Sequence, residues 1–357
     1  MIGTGERAYA YAKACGIIGK SFIGRNMINL ETVNRLSELD RMIFPTAYQA
    51  LPEKSLLFDL EKRIIDRAVH SIISVVECFS NPPEFFSLLI RGYEYADIKR
   101  TLEASLDGEK TAPAHTDIGR FQTVNFDAWP DIREMIKGTE FDFLLDKEGI
   151  LAWELGGFTL QTMLSVRYYS ALWKSLLSLP GKDRKVAERI LSDEISLKNA
   201  CWALRLRSYY QMPAEEVKSH LIDIPIKTSG PGARSLADDA IRSLEFPLDN
   251  HAAWSSWRWR EFLNPVSDGV GYSRSPAEGA GSVWHWQADP RYFQNASSRY
   301  LYRLARHHFH HSPFSMDSIF CFIKLKQMEE DILTSGAEGL GMHMSGRDIV
   351  SMLELAS

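Results

Sequence analysis

LLFDLEKRIIDRAVHSIISVVECFSNPPEFF, residues 56–86, decides the fold class. Leu57, Leu60, Ile64, Ala68, Ile72 and Val76 recur at steps of three or four, which lays one apolar stripe along a long helix. Asn81-Pro82-Pro83 ends that helix, because proline lacks the amide hydrogen and restricts the residue before it. A second helix is expected from about Glu84.

Further along, the same order returns twice. Leu164, Tyr168, Leu172 and Leu176 form a stripe that stops at Leu179-Pro180-Gly181, with a second helix expected from about Val186. Phe293, Ala296, Tyr300, Leu301 and Leu304 form the third, broken at His311-Ser312-Pro313 and followed by a helix from about Met316. β-signals are weak: no Asn-Gly turn separates alternating runs, and β-branched clusters are short. The expectation is an all-α chain of three helical units, at residues 1–115, 116–230 and 231–357. TSGPGAR (228–234) and GVGYSRSPAEGAGS (269–282) read as mobile loops in the last of them. Between the loops stand Trp254, Trp257 and Trp259, followed by Trp284 and Trp286. The plain reading is a small local core; the alternative is an exposed anchor for a partner, since Trp is enriched at interface hot spots.

Each second helix carries an acid with an aliphatic residue four positions on, on the same face. Glu94 is followed by Asp97, Ile98 and Lys99; Asp193 by Ser196, Leu197 and Lys198; Glu329, more loosely, by Ile332 and Leu333. Such steps are common in helical proteins, and only the downstream register makes these three informative. Asp117-Ile118 and Glu216-Val217 fall at the same offsets from Glu94 and Asp193, and Asp348-Ile349 falls one turn early in the third unit. Met212, Glu216, Val217 and Leu221 match Met344, Asp348, Ile349 and Leu353 in spacing. This is an internal repeat of about a hundred residues.

Among 357 residues, 41 are basic and 46 acidic, with no long run of either sign, so a nucleic-acid partner is not expected. Cys15, Cys78, Cys201 and Cys321 are scattered, which suggests neither disulfides nor zinc and fits a reducing, cytoplasmic setting. The first twenty residues lack the apolar core of a signal peptide, and no stretch reaches the ~20 apolar residues a membrane span needs. His307 and His311 share a helix face at metal-binding spacing, but no carboxylate or Cys lies near to complete a ligand set. They read as a solvated helix end suited to the negative end of the dipole. Asp238-Asp239 lacks the further acid that a diphosphate-bound magnesium site would require. Phosphate-loop, nucleophile-elbow and H-E-x-x-H motifs are absent. The residues point to no catalytic set, cofactor or resident metal.

In its acid-bearing second helices the chain resembles the C/d family of central-stalk connectors of V-type rotary ATPases, whose members carry three copies of an acid-x-x-Asn-Leu-Lys helix motif. DEISLKNACWALR (193–205) is similar to the middle copy, FIKLKQMEEDIL (322–333) to the last one, with Leu325, Lys326 and Glu329, and PTAY (45–48) to an early segment. The motif's Asn is replaced by Asp97, Ser196 and Ile332; Ile neither donates nor accepts a hydrogen bond. The resemblance implies three pseudo-symmetric helical bundles arranged as a funnel. It further implies a non-catalytic coupling role between the central-stalk subunits of a catalytic head and a membrane proteolipid ring. Such a protein has no membrane span of its own and is held at the inner face of the cytoplasmic membrane by other subunits. Glu94, Asp97, Lys99, Asp193, Lys198, Arg205 and Glu329 are the candidate interface residues; the alternative is that the repeated acids cap or pair within their own bundle. A free-standing helical scaffold and an all-α metal-dependent enzyme are the competing functions.

Overall fold

The computed structural model describes residues 3–145, 157–226, 234–266, 272–274 and 284–352. Its helices are α1 (Thr4–Ile18), α2 (Leu36–Ile43), α3 (Glu53–Val76), α4 (Glu84–Leu106), α5 (Ile132–Ile136) and α6 (Gly157–Leu177), then α7 (Lys185–Tyr210), α8 (Ala214–Ser219), α9 (Asp238–Ser243), α10 (Pro290–His311), α11 (Met316–Gly341) and α12 (Gly346–Met352). The all-α expectation holds. Strands β1 (Pro225–Ile226) and β2 (Arg234–Ser235) form one antiparallel ladder, and β3 (Tyr272–Arg274) and β4 (Trp284–Trp286) another. The remaining residues of 228–234 and 269–282, read above as mobile loops, lie outside the described residues.

All three helix–break–helix patterns fold as written: α3 then α4, α6 then α7, α10 then α11. In α3 the stripe is the buried face, with Leu60, Ile64, Ala68, Ile72 and Val76 in the core. Pro83 stands immediately before α4, where its missing amide hydrogen costs nothing. Ser315 caps α11 by accepting from the Ser318 amide at 3.1 Å.

The chain divides into two compact units, one of Met1–Leu160, Lys174–Ala187 and Leu304–Ser357, the other of Gln161–Trp173 and Glu188–Arg303. In the first, α3 and α11 run antiparallel: the start of α3 meets the end of α11 at Leu57 and Gly341, and Arg67 lies 3.7 Å from Glu329. Phe85 of α4 meets Phe320 of α11 with ring centroids 5.5 Å apart. α12 lies against the 3-10 segment Gly24–Thr32, and the Gly346 amide donates to the Val33 carbonyl at 2.9 Å. A Cβ at Gly346 would stand 2.0 Å from the Leu30 oxygen, so only glycine permits this approach.

The second unit packs around α7, where Leu197, Ala200 and Leu204 meet Val217, Leu221 and Phe293. Trp254, Trp257, Trp259 and Trp286 are buried in the same core. Each indole N–H donates a hydrogen bond: Trp254 to the Pro247 carbonyl, Trp257 to that of Asp239, Trp259 to the Ser196 hydroxyl and Trp286 to the Asn264 carbonyl. The tryptophans at these four positions are therefore a local core rather than an exposed anchor; the side chain of Trp284 lies outside the described residues. Among the described residues no helix is long and apolar enough to cross a membrane.

Candidate functional site on the acid-bearing helices

On α4, Glu94 and Asp97 sit three residues apart, both 1% exposed, and both face the segment that returns after the helix. Glu94 accepts from the amides of Thr123 and Val124, each at 2.7 Å, and from the Thr123 hydroxyl at 2.8 Å. Asp97 accepts from the Thr116 amide at 2.7 Å and pairs with Arg100. Burial pushes the Asp97 carboxyl above the ordinary carboxylate range, opposed by the Thr116 amide and by Arg100. Together the two acids staple residues 116–124 to the helix. Lys99, the next candidate, is half-buried.

On α7 the repeated acid has different partners. Asp193, 4% exposed, accepts from Arg258 at 2.6 Å and from the Tyr300 hydroxyl at 2.7 Å. Ser196, in place of the motif's Asn, donates to Asp239 at 3.1 Å and accepts from the Trp259 indole. The work of an Asn falls to Asn199, one turn further on. It accepts from the Ile222 amide at 2.8 Å and donates to the carbonyls of Ile222 and Leu236 at 2.9 and 3.2 Å. Lys198 is half-buried with its ammonium 5.5 Å from the Tyr169 ring centroid and 5.7 Å from that of Trp202. Arg205 is half-buried and bonded to Gln294. Asp239 is engaged by Arg258 at 3.2 Å and Asp238 by the Ser235 amide at 2.9 Å, so both members of that acid pair hold protein groups.

On α11, Glu329 is 1% exposed, accepts from the Phe22 amide at 2.8 Å and pairs with the equally buried Lys326. Burial depresses the Lys326 ammonium pKa, and Glu329 opposes that shift. Ile332, where the motif has Asn, is buried and apolar. The neighbouring Glu330 accepts from the Tyr93 hydroxyl at 2.6 Å, and burial pushes its carboxyl up to about 8.

Downstream, the positions matched in sequence share a burial pattern. Asp117, Glu216 and Asp348 are exposed while Ile118, Val217 and Ile349 are buried. Gln211 and His343 both adopt left-handed backbone at the ends of α7 and α11, immediately before the matched Met212 and Met344. His307 and His311 stack with centroids 4.1 Å apart at the exposed end of α10. Among the described residues no three His, Cys, Asp or Glu side chains converge as a metal site.

Chemically, the repeated carboxylates act as internal acceptors: backbone amides, an arginine, a tyrosine or a lysine of the same unit satisfies each one. This geometry favours the reading in which they pair within their own unit. Glu94, Asp97 and Glu329 lie in the first unit, and Asp193, Lys198 and Arg205 in the second. Sequence reasoning missed Asn199, Arg258 and Tyr300. Asn199 left one usable signal, a two-way polar side chain on a helix face otherwise filled by Ile195, Ala203 and Leu206.

A protein of Treponema pallidum (strain Nichols) described as "Uncharacterized protein" is 26% identical over 327 residues, 90% of this chain and 88% of its own length. The family model for the ATP synthase (C/AC39) subunit matches residues 25–351, which takes in all three acid-bearing helices, the tryptophan core and all of α12 but its last residue. The chain belongs to the ATP synthase (C/AC39) subunit family.

Proposed function

We propose that this protein is the non-catalytic coupling subunit of a V-type rotary ATPase or ATP synthase. It joins the central stalk of the catalytic head to the membrane proteolipid ring, so that ATP turnover and proton or sodium movement are linked. The family match across residues 25–351 carries the reading. The internal fastening of the repeated acids supports it, because a part that transmits torque requires stiffness, and satisfied buried polar networks rigidify a helical core. In this reading the three repeated units form the pseudo-symmetric socket that the resemblance implies. Other subunits then hold the protein at the cytoplasmic face of the membrane.

Glu94, Asp97, Asp193 and Glu329 keep the helices in register, while the half-buried cations Lys99, Lys198 and Arg205 present charge to stalk or ring. Such charges steer orientation and assembly more than raw affinity. The test is purification of a tagged chain from membranes under gentle detergent. Recovery of stalk subunits and the proteolipid supports the coupling role; recovery of neither returns the protein to a free-standing scaffold.

A further inference from the structure

Phe58 and Met342, each 74% exposed, are the most exposed large apolar side chains among the described residues. They flank a single contact. Leu57 of α3 packs against Gly341 of α11 so closely that a Cβ on that glycine would lie 3.1 Å from a Leu57 methyl. One turn from this contact, Glu61 and Glu338 face each other across the same helix pair. Burial raises the Glu61 carboxyl, and the charge of Glu338 raises it further. Neither acid forms an ion pair within 4.0 Å among the described residues. Lys54 and Lys62 stand one turn either side of Phe58, and among the described residues neither forms an ion pair with Glu61 or Glu338 within 4.0 Å.

Two like charges held near one another cost stability, and the exposed Phe58 and Met342, each next in sequence to a member of the Leu57–Gly341 contact, gain nothing in water. An occupant that brings an apolar side chain and a cation removes both penalties. We infer that the end of the first unit formed by the start of α3 and the end of α11 docks a basic amphipathic helix of a partner protein. An apolar residue of that helix covers Phe58 and Met342, and a Lys or Arg one turn away enters between Glu61 and Glu338. Met suits such a surface because its flexible thioether adapts to the incoming side chain. An anionic lipid surface is disfavoured by the same two carboxylates. A second copy would have to bury its own Glu61 and Glu338 against the pair. The inference rests on the coupling reading, which supplies partner subunits.

The experiment places a photo-crosslinking amino acid at Phe58 in the tagged chain, purifies the assembled complex and maps the crosslinked segment. A partner helix with Lys or Arg within one turn of the crosslinked apolar residue is expected. A crosslink to lipid, to a second copy or to an acidic segment overturns the inference. In parallel, Glu61→Lys combined with Glu338→Lys, and separately Phe58→Ser, are compared with the unsubstituted chain for recovery of complex after a salt wash. At least a tenfold loss is expected for both, with thermal unfolding unchanged or raised; full recovery overturns the inference. Failure of the unsubstituted chain to recover any ATPase subunit sinks the coupling role instead, so the two failures are distinct.

Discussion

Asp193 shows what a buried acid in this protein depends on. Its two oxygens are taken by Arg258 and Tyr300; losing the carboxylate leaves the Tyr300 hydroxyl without this acceptor, while Arg258 keeps Asp239 and solvent. Removing one side of a buried charged pair typically costs about 3–5 kcal/mol, discounted here because Arg258 is half exposed. Asp193→Ala is therefore expected to lower stability by about 2–3 kcal/mol, and Asp193→Asn, which keeps one acceptor oxygen, by clearly less. Denaturant midpoints at constant slope check this, and equal losses for both would refute the acceptor role. Glu330 makes a pH-dependent contribution of opposite sense to an ordinary ion-paired acid. Folded, its carboxyl titrates at about 8; unfolded, near the ordinary 4.5. The folded state therefore binds the extra proton between those values, and the stability it contributes is complete below 4.5 and is lost as pH rises toward 8. The slope is at most about 1.4 kcal/mol per pH unit. Glu330→Gln should hold the Tyr93 contact and abolish that part of the decline, read as the difference between the two proteins' unfolding free energies from pH 5 to 8.5. A difference that does not vary with pH would count against it.

At the scale of elements, close approach decides how α12 is held. Gly346 brings its backbone against Leu30 and Val33, and a Cβ at Gly339 would meet Ile349 at 2.8 Å, so α12 is set between the 3-10 segment and α11 by two glycines. Gly346→Ala cannot be absorbed by a flexible side chain, because the obstructing atoms are backbone carbonyls. The expected result is release of α12, seen as hydrogen exchange of residues 346–352 accelerating by at least tenfold while the amides of α3 keep their protection. Unchanged exchange in α12 would overturn this account. The three long helix pairs were legible in the sequence because large apolar residues recur along one face and proline marks each break. α1 was not, since its buried positions are only Ala10 and Ala14 and no stripe of large residues announces it. The repeated acids were also legible, but their partners were not. Thr116, Thr123, Phe22, Arg258 and Tyr300 lie 19 to 307 residues away along the chain, and helical periodicity carries no information at that range. Likewise Asn199 took over from Ser196 by a shift of one turn, which spacing alone does not distinguish from an ordinary buried Asn.

For the whole molecule, the proposed division of labour between buried acids and half-buried cations implies that stability and coupling can be separated by mutation. Glu94 accepts three hydrogen bonds inside the first unit, so Glu94→Ala should cost about 2–4 kcal/mol by leaving the amides of Thr123 and Val124 unsatisfied. Coupling should fall only in proportion to the folded protein that remains. Lys198 and Arg205 occupy the same face of α7 two turns apart, and each keeps part of its side chain accessible. Lys198→Glu with Arg205→Glu gives up ring and amide contacts worth about 1 kcal/mol, yet reverses two charges on the surface proposed to meet stalk or ring. The double variant should fold and enter the complex at lower yield, and the complex that forms should pump several-fold fewer ions per ATP hydrolysed. Inside-out membrane vesicles report both quantities at once, hydrolysis by phosphate release and pumping by quenching of a pH-sensitive dye or by sodium uptake. If the reversed pair assembles normally and pumps at the full ratio, this face of α7 meets neither partner. The coupling reading would then have to place its contacts elsewhere, with the basic-helix dock at the ends of α3 and α11 as the remaining surface to test.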